Sequence, residues 1–353
     1  MIKKEYLITL LELFTYRISR VWEEITNNDL SFDSNSDFLT YLNHVIKDKR
    51  KKILFSQIDI QKAVQNTKKI IEYCNNNERV ITIISFEDKE YPDHKMCSIP
   101  KNEKPIILYG MGNIELLHKD SIAIIGSRNT DQDYFIIGVE LGKLLSSKYT
   151  IISGLALGSD SAAHKGALLN NGNTIAILAN GLHTIYPKEN KDLANQIFTS
   201  GGLLLSEYPP FSVTQRHFFA QRDRLQAAFS KAIIVVETGV KSGTMITMNY
   251  AREYSKKILV IEPFENSNDY NDLGNKSLIK ESDIHKISNN NLYLKDISEI
   301  IELDVNEVIK FEIVYHPHFK SYRLDGKEYG KIPKEYKEIS RDNKFVTVEL
   351  NKQ

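Results

Sequence analysis

The sequence predicts an α/β protein: a doubly wound, mostly parallel sheet, preceded by a small helical domain and followed by a short C-terminal extension. Two observations predict it. Short β-branched runs alternate with helix-length amphipathic segments through the middle of the chain. These runs also lack the polar alternation of half-exposed strands, as strands of a parallel sheet buried on both faces do. They are IAIIG from Ile122, TIISG from Thr150, TIAIL from Thr174, LLLSE from Leu203, AIIVVE from Ala232 and ILVIE from Ile258. They place a Rossmann-like domain at 79–290, with its doubly wound part from about 120 to 287.

The flanking elements follow from periodicity and turn residues. Over residues 1–78 the apolar positions recur at helical spacing: Leu7, Leu10, Leu11 and Phe14, then Val21, Trp22 and Ile25, then Phe38, Leu42 and Val45. The basic run Lys47, Lys49, Arg50, Lys51, Lys52 reads as a solvated helix face. Residues 79–120 carry VITIIS, a turn at Tyr91 and Pro92, and PIILYG ending at Gly110, a lead-in strand pair. Beyond Asn290, LKDISEIIEL reads as a helix, and Ile309 to Leu350 as a charged β-meander or irregular structure, making 291–353 the extension.

Composition narrows the function. A chain of 353 residues that is 41% hydrophobic buries one large core and smaller ones, which excludes a disordered protein. With 46 basic and 46 acidic residues the net charge is zero, so affinity for a polyanion has to come from a local patch. Cys74 and Cys97 lack zinc-type spacing, so neither a structural metal nor a disulfide framework is expected. No long uncharged apolar run occurs, and the expected location is the cytoplasm, away from membranes.

In open α/β sheets ligands sit beyond the carboxyl ends of the strands, where helix N-termini attract anions. The run from Ile122 is followed by Gly126, Ser127 and Arg128: a tight turn, a hydroxyl and a guanidinium suited to phosphate. The run from Thr150 leads into SGLALGSDSAAHKGAL, where Gly154 and Gly158 are read as letting the backbone approach a ligand. His164 on the following helix reads as a packed structural residue. The segment RHFFAQRDRLQAAFS gathers Arg216, His217, Phe218, Phe219, Arg222 and Arg224; cations beside aromatics suit the backbone and bases of a single strand, and the same residues also read as core phenylalanines with arginines on the helix surface. Lys241, Ser242, Gly243 and Thr244 form a further helix start able to hold phosphate. Three anion sites on one sheet edge exceed what a mononucleotide needs. No H-E-x-x-H or G-x-S-x-G motif occurs, and no catalytic residue or cofactor is assigned.

The ordered string IGSR, SGLA-x-G-x-D-x-AAH-x-GAL, G-x-x-x-x-YP-x-x-N, GG-x-LLSEYPP, R-x-R and SG-x-x-IT resembles the DprA/Smf family from about Asp88 to Ile287, and LGNKSLIKE is similar to the family's later G-x-N-x-L-I motif. The resemblance implies a non-catalytic, sequence-independent single-stranded DNA-binding protein. It also implies a homodimer formed through the Rossmann domain and delivery of the strand to a RecA-type recombinase in recombination or natural transformation. By position it implies that Gly126, Ser127, Arg128 and the Arg222/Arg224 pair face DNA, with Lys241 to Thr244 completing the anion-binding edge. Four departures mark a divergent member: Asp223 between the two arginines where the family has Asn, Glu262-Pro263-Phe264 in place of a Pro-Gly, no helix-hairpin-helix glycine signature in the N-terminal helices, and a C-terminus unlike a winged helix.

Two rivals remain. The related LOG-type phosphoribohydrolases resemble this chain around Ser242, Gly243 and Thr244, but their glycosidic chemistry needs a carboxylate shortly after the Gly-Thr, where this chain has Thr247. The other is a sensor of a nucleotide-derived signal, possible in a defence system, which the same anion edge would serve.

Overall fold

The computed structural model describes residues 2–28, 34–47, 55–76, 78–264 and 272–289, the single positions 32 and 297, and five strands between 311 and 350. The basic run at 47–52 and the helix expected at 294–303 lie outside the described residues, apart from the backbone of Lys47 and the position of Ile297.

Four helices open the chain: α1 (Lys4–Leu13), α2 (Ile18–Asn28), α3 (Asn35–Lys47) and α4 (Gln57–Asn76). The starts of α3 and α4 are set by the same local device. Ser34 and Asp37, and likewise Ser56 and Asp59, exchange side-chain to backbone hydrogen bonds, satisfying N–H groups that the first turn leaves unpaired.

The strand pair expected at 79–120 is β1 (Thr82–Ser85) and β2 (Ile107–Gly112), joined antiparallel with Ile83 opposite Tyr109. The βα units follow as β3 (Ser121–Ile125), α5 (Gln132–Leu145), β4 (Thr150–Ser153), α6 (Ser159–Leu169), β5 (Thr174–Leu178), α7 (Lys191–Thr199), β6 (Leu203–Ser206), α8 (Arg216–Phe229), β7 (Ala232–Val235), α9 (Thr244–Glu253), β8 (Lys257–Ile261), α10 (Leu273–Leu278) and β9 (Ile284–Ile287). One nine-stranded sheet results, in the order β1-β2-β6-β5-β4-β3-β7-β8-β9. Strands β3 to β9 pair in parallel, and β2 runs antiparallel along β6. All six central strands thus stand where the β-branched runs place them. The edge strand β9, IHKI, escapes that reading because its two middle residues are exposed and polar.

The sheet buries both faces, which explains the unbroken apolar runs. Ile122, Ile124, Ile151 and Ile234 pack against α5 and α6 through Tyr134, Leu141, Ala163 and Ala167. The alternate residues Ala123, Ile125, Ile152 and Ile233 pack on the other side against Leu225, Phe229, Met248 and Ala251 of α8 and α9. The N-terminal helices extend the first of these layers. Leu7, Leu10 and Leu11 of α1 and Ile70 of α4 share one apolar cluster with Tyr109 and Met111 of β2 and Leu204 of β6.

The C-terminal segment forms a second, five-stranded sheet: β10 (Phe311–His316), β11 (Ser321–Leu324), β12 (Lys327–Tyr329), β13 (Tyr336–Arg341) and β14 (Phe345–Leu350), in the antiparallel order β12-β11-β10-β14-β13. The meander alternative of the sequence reading is the one realised for β10 to β12. Among the described residues no helix is long and apolar enough to cross a membrane.

Candidate nucleic-acid interface

The chain order reverses direction across the sheet at β3: β4 lies on one side of it and β7 on the other. At such a switch point the loops beyond the two strands diverge and leave a crevice. Here the crevice is a cleft of about 1060 Å³ lined by the loops after β3, β4 and β7 and by one face of α8.

The loop after β3 is strapped in place from both sides. Ser127 N donates to Glu237 O at 2.7 Å, and Ser127 O accepts from Ser159 N at 3.0 Å and from Thr130 Oγ1 at 2.6 Å. With the backbone fixed, the Arg128 side chain projects into solvent, its guanidinium 5.4 Å from the centroid of Phe219. That ring is also 5.8 Å from Tyr186, edge to face, and Tyr186 is 50% exposed. Arg128, Phe219 and Tyr186 therefore form a cation and aromatic wall. Lys241, Ser242, Gly243 and Thr244 line the opposite side, with Lys241 exposed and the Ser242 hydroxyl bonded to that of Thr238. Arg216, exposed at the start of α8, completes the cationic rim.

Gly126, Ser127, Arg128 and Lys241 to Thr244 thus meet in one cleft, as expected. Two glycines do something else. A Cβ on Gly154 would lie 2.0 Å from Nη1 of Arg222, and one on Gly158, where φ is +73°, would lie 2.4 Å from Ser127 O. Gly154 makes room for an arginine and Gly158 for the backbone of the loop after β3; neither lines the cleft.

The Arg222/Arg224 pair also needs correcting. Residues two apart on a helix point to different sides, so both cannot face one ligand. Arg224 is 4% exposed and grips Glu207 with both ends of its guanidinium, Nη1 to Oε2 at 2.9 Å and Nη2 to Oε1 at 2.6 Å, while donating to the carbonyls of Gln221 and Glu103. It holds α8 to the loop after β6 and takes no part in the cleft. Arg222 lines the cleft floor but is 7% exposed, with Nη1 bonded to Gly154 O at 2.8 Å and Ile177 O at 2.5 Å and Nε to Asp223 Oδ1 at 3.0 Å.

Of the adjacent phenylalanines, Phe218 stacks on Tyr208 at 3.8 Å in the core and Phe219 faces the cleft. His164 is a core residue, as read. It is fully buried, its Nδ1 lies 2.7 Å from Thr174 Oγ1, and burial, helped by nearby Arg222, lowers its pKa to about 3. Since Thr174 Oγ1 itself donates to Ile151 O, the neutral ring carries its proton on Nδ1.

The cleft holds two carboxylates. Asp160 Oδ2 accepts from Gly154 N at 3.2 Å and Ala156 N at 3.1 Å. Asp223 is bonded to Arg222, and burial, outweighing that partner, raises its pKa to about 6. At the position where a phosphoribohydrolase needs an acid, Thr247 lies buried in the wall. Sequence reasoning missed Tyr186 and Asp223 as cleft residues. The signal for Asp223 was the helical stripe Arg216, Phe219, Ala220, Asp223, Gln226, all of which line the cleft. Nothing local marks Tyr186, which reaches the site through the fold of the loop after β5.

Comparison with known proteins places the chain. The profile of the family described as DNA recombination-mediator protein A matches residues 82–298, more than half of the sequence. The protein Smf of Synechocystis sp. is 38% identical over 179 residues, 49% of this chain and 44% of that one. The DNA processing protein DprA of Streptococcus pneumoniae is 36% identical over 159 residues, 45% of this chain and 56% of that one. The matches thus span about half the length of these curated relatives. Among solved structures, DprA of S. pneumoniae shares the fold with a TM-score of 0.63 at 24% identity, covering 85% of this chain and 98% of that one. DprA of Helicobacter pylori, described for its single-stranded DNA binding mode, gives 0.55 at 26% identity, covering 64% and 97%. The chain belongs to the DNA recombination-mediator protein A family, the DprA/Smf proteins.

Proposed function

We propose that this protein binds single-stranded DNA in the cleft at the β3/β7 switch point. The observation that carries the reading is the rim: Arg128, Arg216 and Lys241, all exposed, surround a cleft walled by Phe219 and Tyr186. Cations hold a phosphodiester backbone, and aromatic faces accept any unstacked base, so the binding tolerates sequence; a duplex keeps its bases stacked and offers the wall nothing. The relative from H. pylori, titled for its single-stranded DNA binding mode, supports the assignment.

The role is non-catalytic binding in the cytoplasm. Asp160 is held by backbone N–H groups and Asp223 by Arg222 through one oxygen, and Thr247 offers no charge to an oxocarbenium-like transition state. Dimerisation and hand-over of the strand to a RecA-type recombinase complete the proposal by family membership. A mononucleotide would occupy the same floor but leave much of the rim unused.

Fluorescence anisotropy of labelled single- and double-stranded oligonucleotides tests the reading. Single-strand binding that is weakened about tenfold in Arg128→Ala and in Lys241→Ala, with weaker duplex binding throughout, is expected. Absence of oligonucleotide binding at low salt, with saturable mononucleotide binding by calorimetry, overturns it in favour of the sensor; release of free base from a nucleoside monophosphate overturns it in favour of the hydrolase.

A further inference from the structure

The cleft changes chemistry with depth, and α8 carries the gradient along one stripe. Arg216 stands exposed at the rim, Phe219 is half-buried in the wall, and Asp223 and Gln226 are buried at the floor. A nucleotide has the same order of parts: a charged phosphate, the face of a base, and a polar base edge. With its phosphate among the rim cations and its base against Phe219, it would present that edge to the floor.

The floor is not neutral toward base identity. Asp223 is 7% exposed and lines the cleft, yet only one of its oxygens is used within the protein: Oδ1 accepts from Arg222 Nε, and Oδ2 takes no hydrogen bond among the described residues. Arg222 is held to two strand-end carbonyls and cannot swing to cover the second oxygen without giving them up. Oδ2 is not fully buried: it opens onto the cleft, where a ligand donor would take the place of water.

We propose that Asp223 is a specificity residue of the single-strand site, accepting a hydrogen bond from an exocyclic amino group so that cytosine, adenine or guanine is preferred over thymine. The inference rests on the proposed function. A carboxylate only accepts, and it suits the N4 amino group of cytosine. Thymine has no amino group, and its single ring N–H is flanked by two carbonyl oxygens that face the carboxylate with like polarity. Stacking on Phe219 and Tyr186 is common to all bases, so the result is tolerance of sequence with a bias imposed at the floor.

Cytosine and thymine are matched in ring size, so they isolate the edge. Anisotropy titrations of oligo-dC and oligo-dT of about twelve nucleotides, a length within the span of common single-strand sites, would be run on the full chain at pH 7.5. Wild-type protein is expected to bind oligo-dC at least about fivefold more tightly, the low end of what a good base-edge contact contributes. In Asp223→Asn the amide oxygen still takes Arg222 Nε, and the cleft receives an N–H donor in place of an acceptor. The dC/dT ratio is then expected to fall to about one or invert, with oligo-dT binding strengthened by loss of the negative charge. Equal binding of the two oligonucleotides by wild-type protein, or an unchanged ratio in Asp223→Asn, overturns the inference and leaves single-strand binding standing. Failure of both to bind overturns the proposed function and this inference with it. The wild-type ratio alone decides the matter should the variant not fold.

Discussion

Arg224 on α8 and Arg128 in the loop after β3 have opposite duties, and substitution separates them. Removing Arg224 leaves Glu207 buried without its partner, so Arg224→Ala is expected to lower stability by about 3–5 kcal/mol in urea unfolding. Arg128→Ala, at an exposed position, is expected to leave the unfolding midpoint unchanged while weakening oligonucleotide affinity about tenfold, the worth of one charge-assisted contact. Phe219→Ala should cost about 1–3 kcal/mol of binding through lost stacking, read from the same titrations. Gly126 to Arg128 and Lys241 to Thr244 were legible in the sequence because strand-end loops converge in any doubly wound sheet. Gly154 was misread as facing a ligand; Arg222 does line the cleft, but its pairing with Gly154 ties α8 to the ends of β4 and β5, which no local pattern records. The Arg222/Arg224 pair was legible as chemistry and misread as geometry, since helical phase was left out.

At the level of elements, acid acts on α6 and α8 in opposite directions. His164 on α6 stays neutral in the folded state to about pH 3, whereas the unfolded chain protonates it below about 6.5. The unfolded state then binds more protons, so this group's contribution falls as pH drops from 6.5 towards 3, by about 1.4 kcal/mol per unit. The stability difference between wild type and His164→Asn is expected to shrink between pH 7 and pH 5. Asp223 on α8 has a raised pKa of about 6 and adds the reverse slope from there down to the ordinary carboxylate range, so only the comparison of variants isolates either group. The same carboxyl makes binding pH-dependent. It shares the cleft with Arg222, Arg128, Asp160 and His217, and its protonation removes one negative charge from the floor. Oligonucleotide affinity is expected to rise as pH falls through 6. The Asp223 share is the difference between wild type and Asp223→Asn. The six central strands were readable because burial on both faces forces continuous apolar runs, and the helices because their apolar positions recur at helical spacing. Strand β9, with two exposed residues, and the second sheet, with its charged strands, carry a fainter pattern.

The whole molecule has no net charge, so attraction to a polyanion has to come from a local patch, and the cleft rim supplies one. With three rim cations engaged, the logarithm of the single-strand binding constant should fall against the logarithm of salt concentration with a slope of about −2, at about 0.7 per phosphate neutralised. A much steeper slope in an anisotropy series would mean that basic residues beyond the cleft take part. The architecture also determines how the cleft behaves before any strand arrives. Arg222 reaches through the gap left by the missing side chain of Gly154 and is fastened to carbonyls at the ends of two neighbouring strands, while Arg224 is clamped to Glu207 behind it. One wall of the cleft is thereby riveted to the sheet, and the loop carrying Arg128 is riveted between β7 and α6. The ordering cost of the cleft's backbone is met when the chain folds, so on binding only the incoming strand and the exposed rim side chains have freedom to surrender.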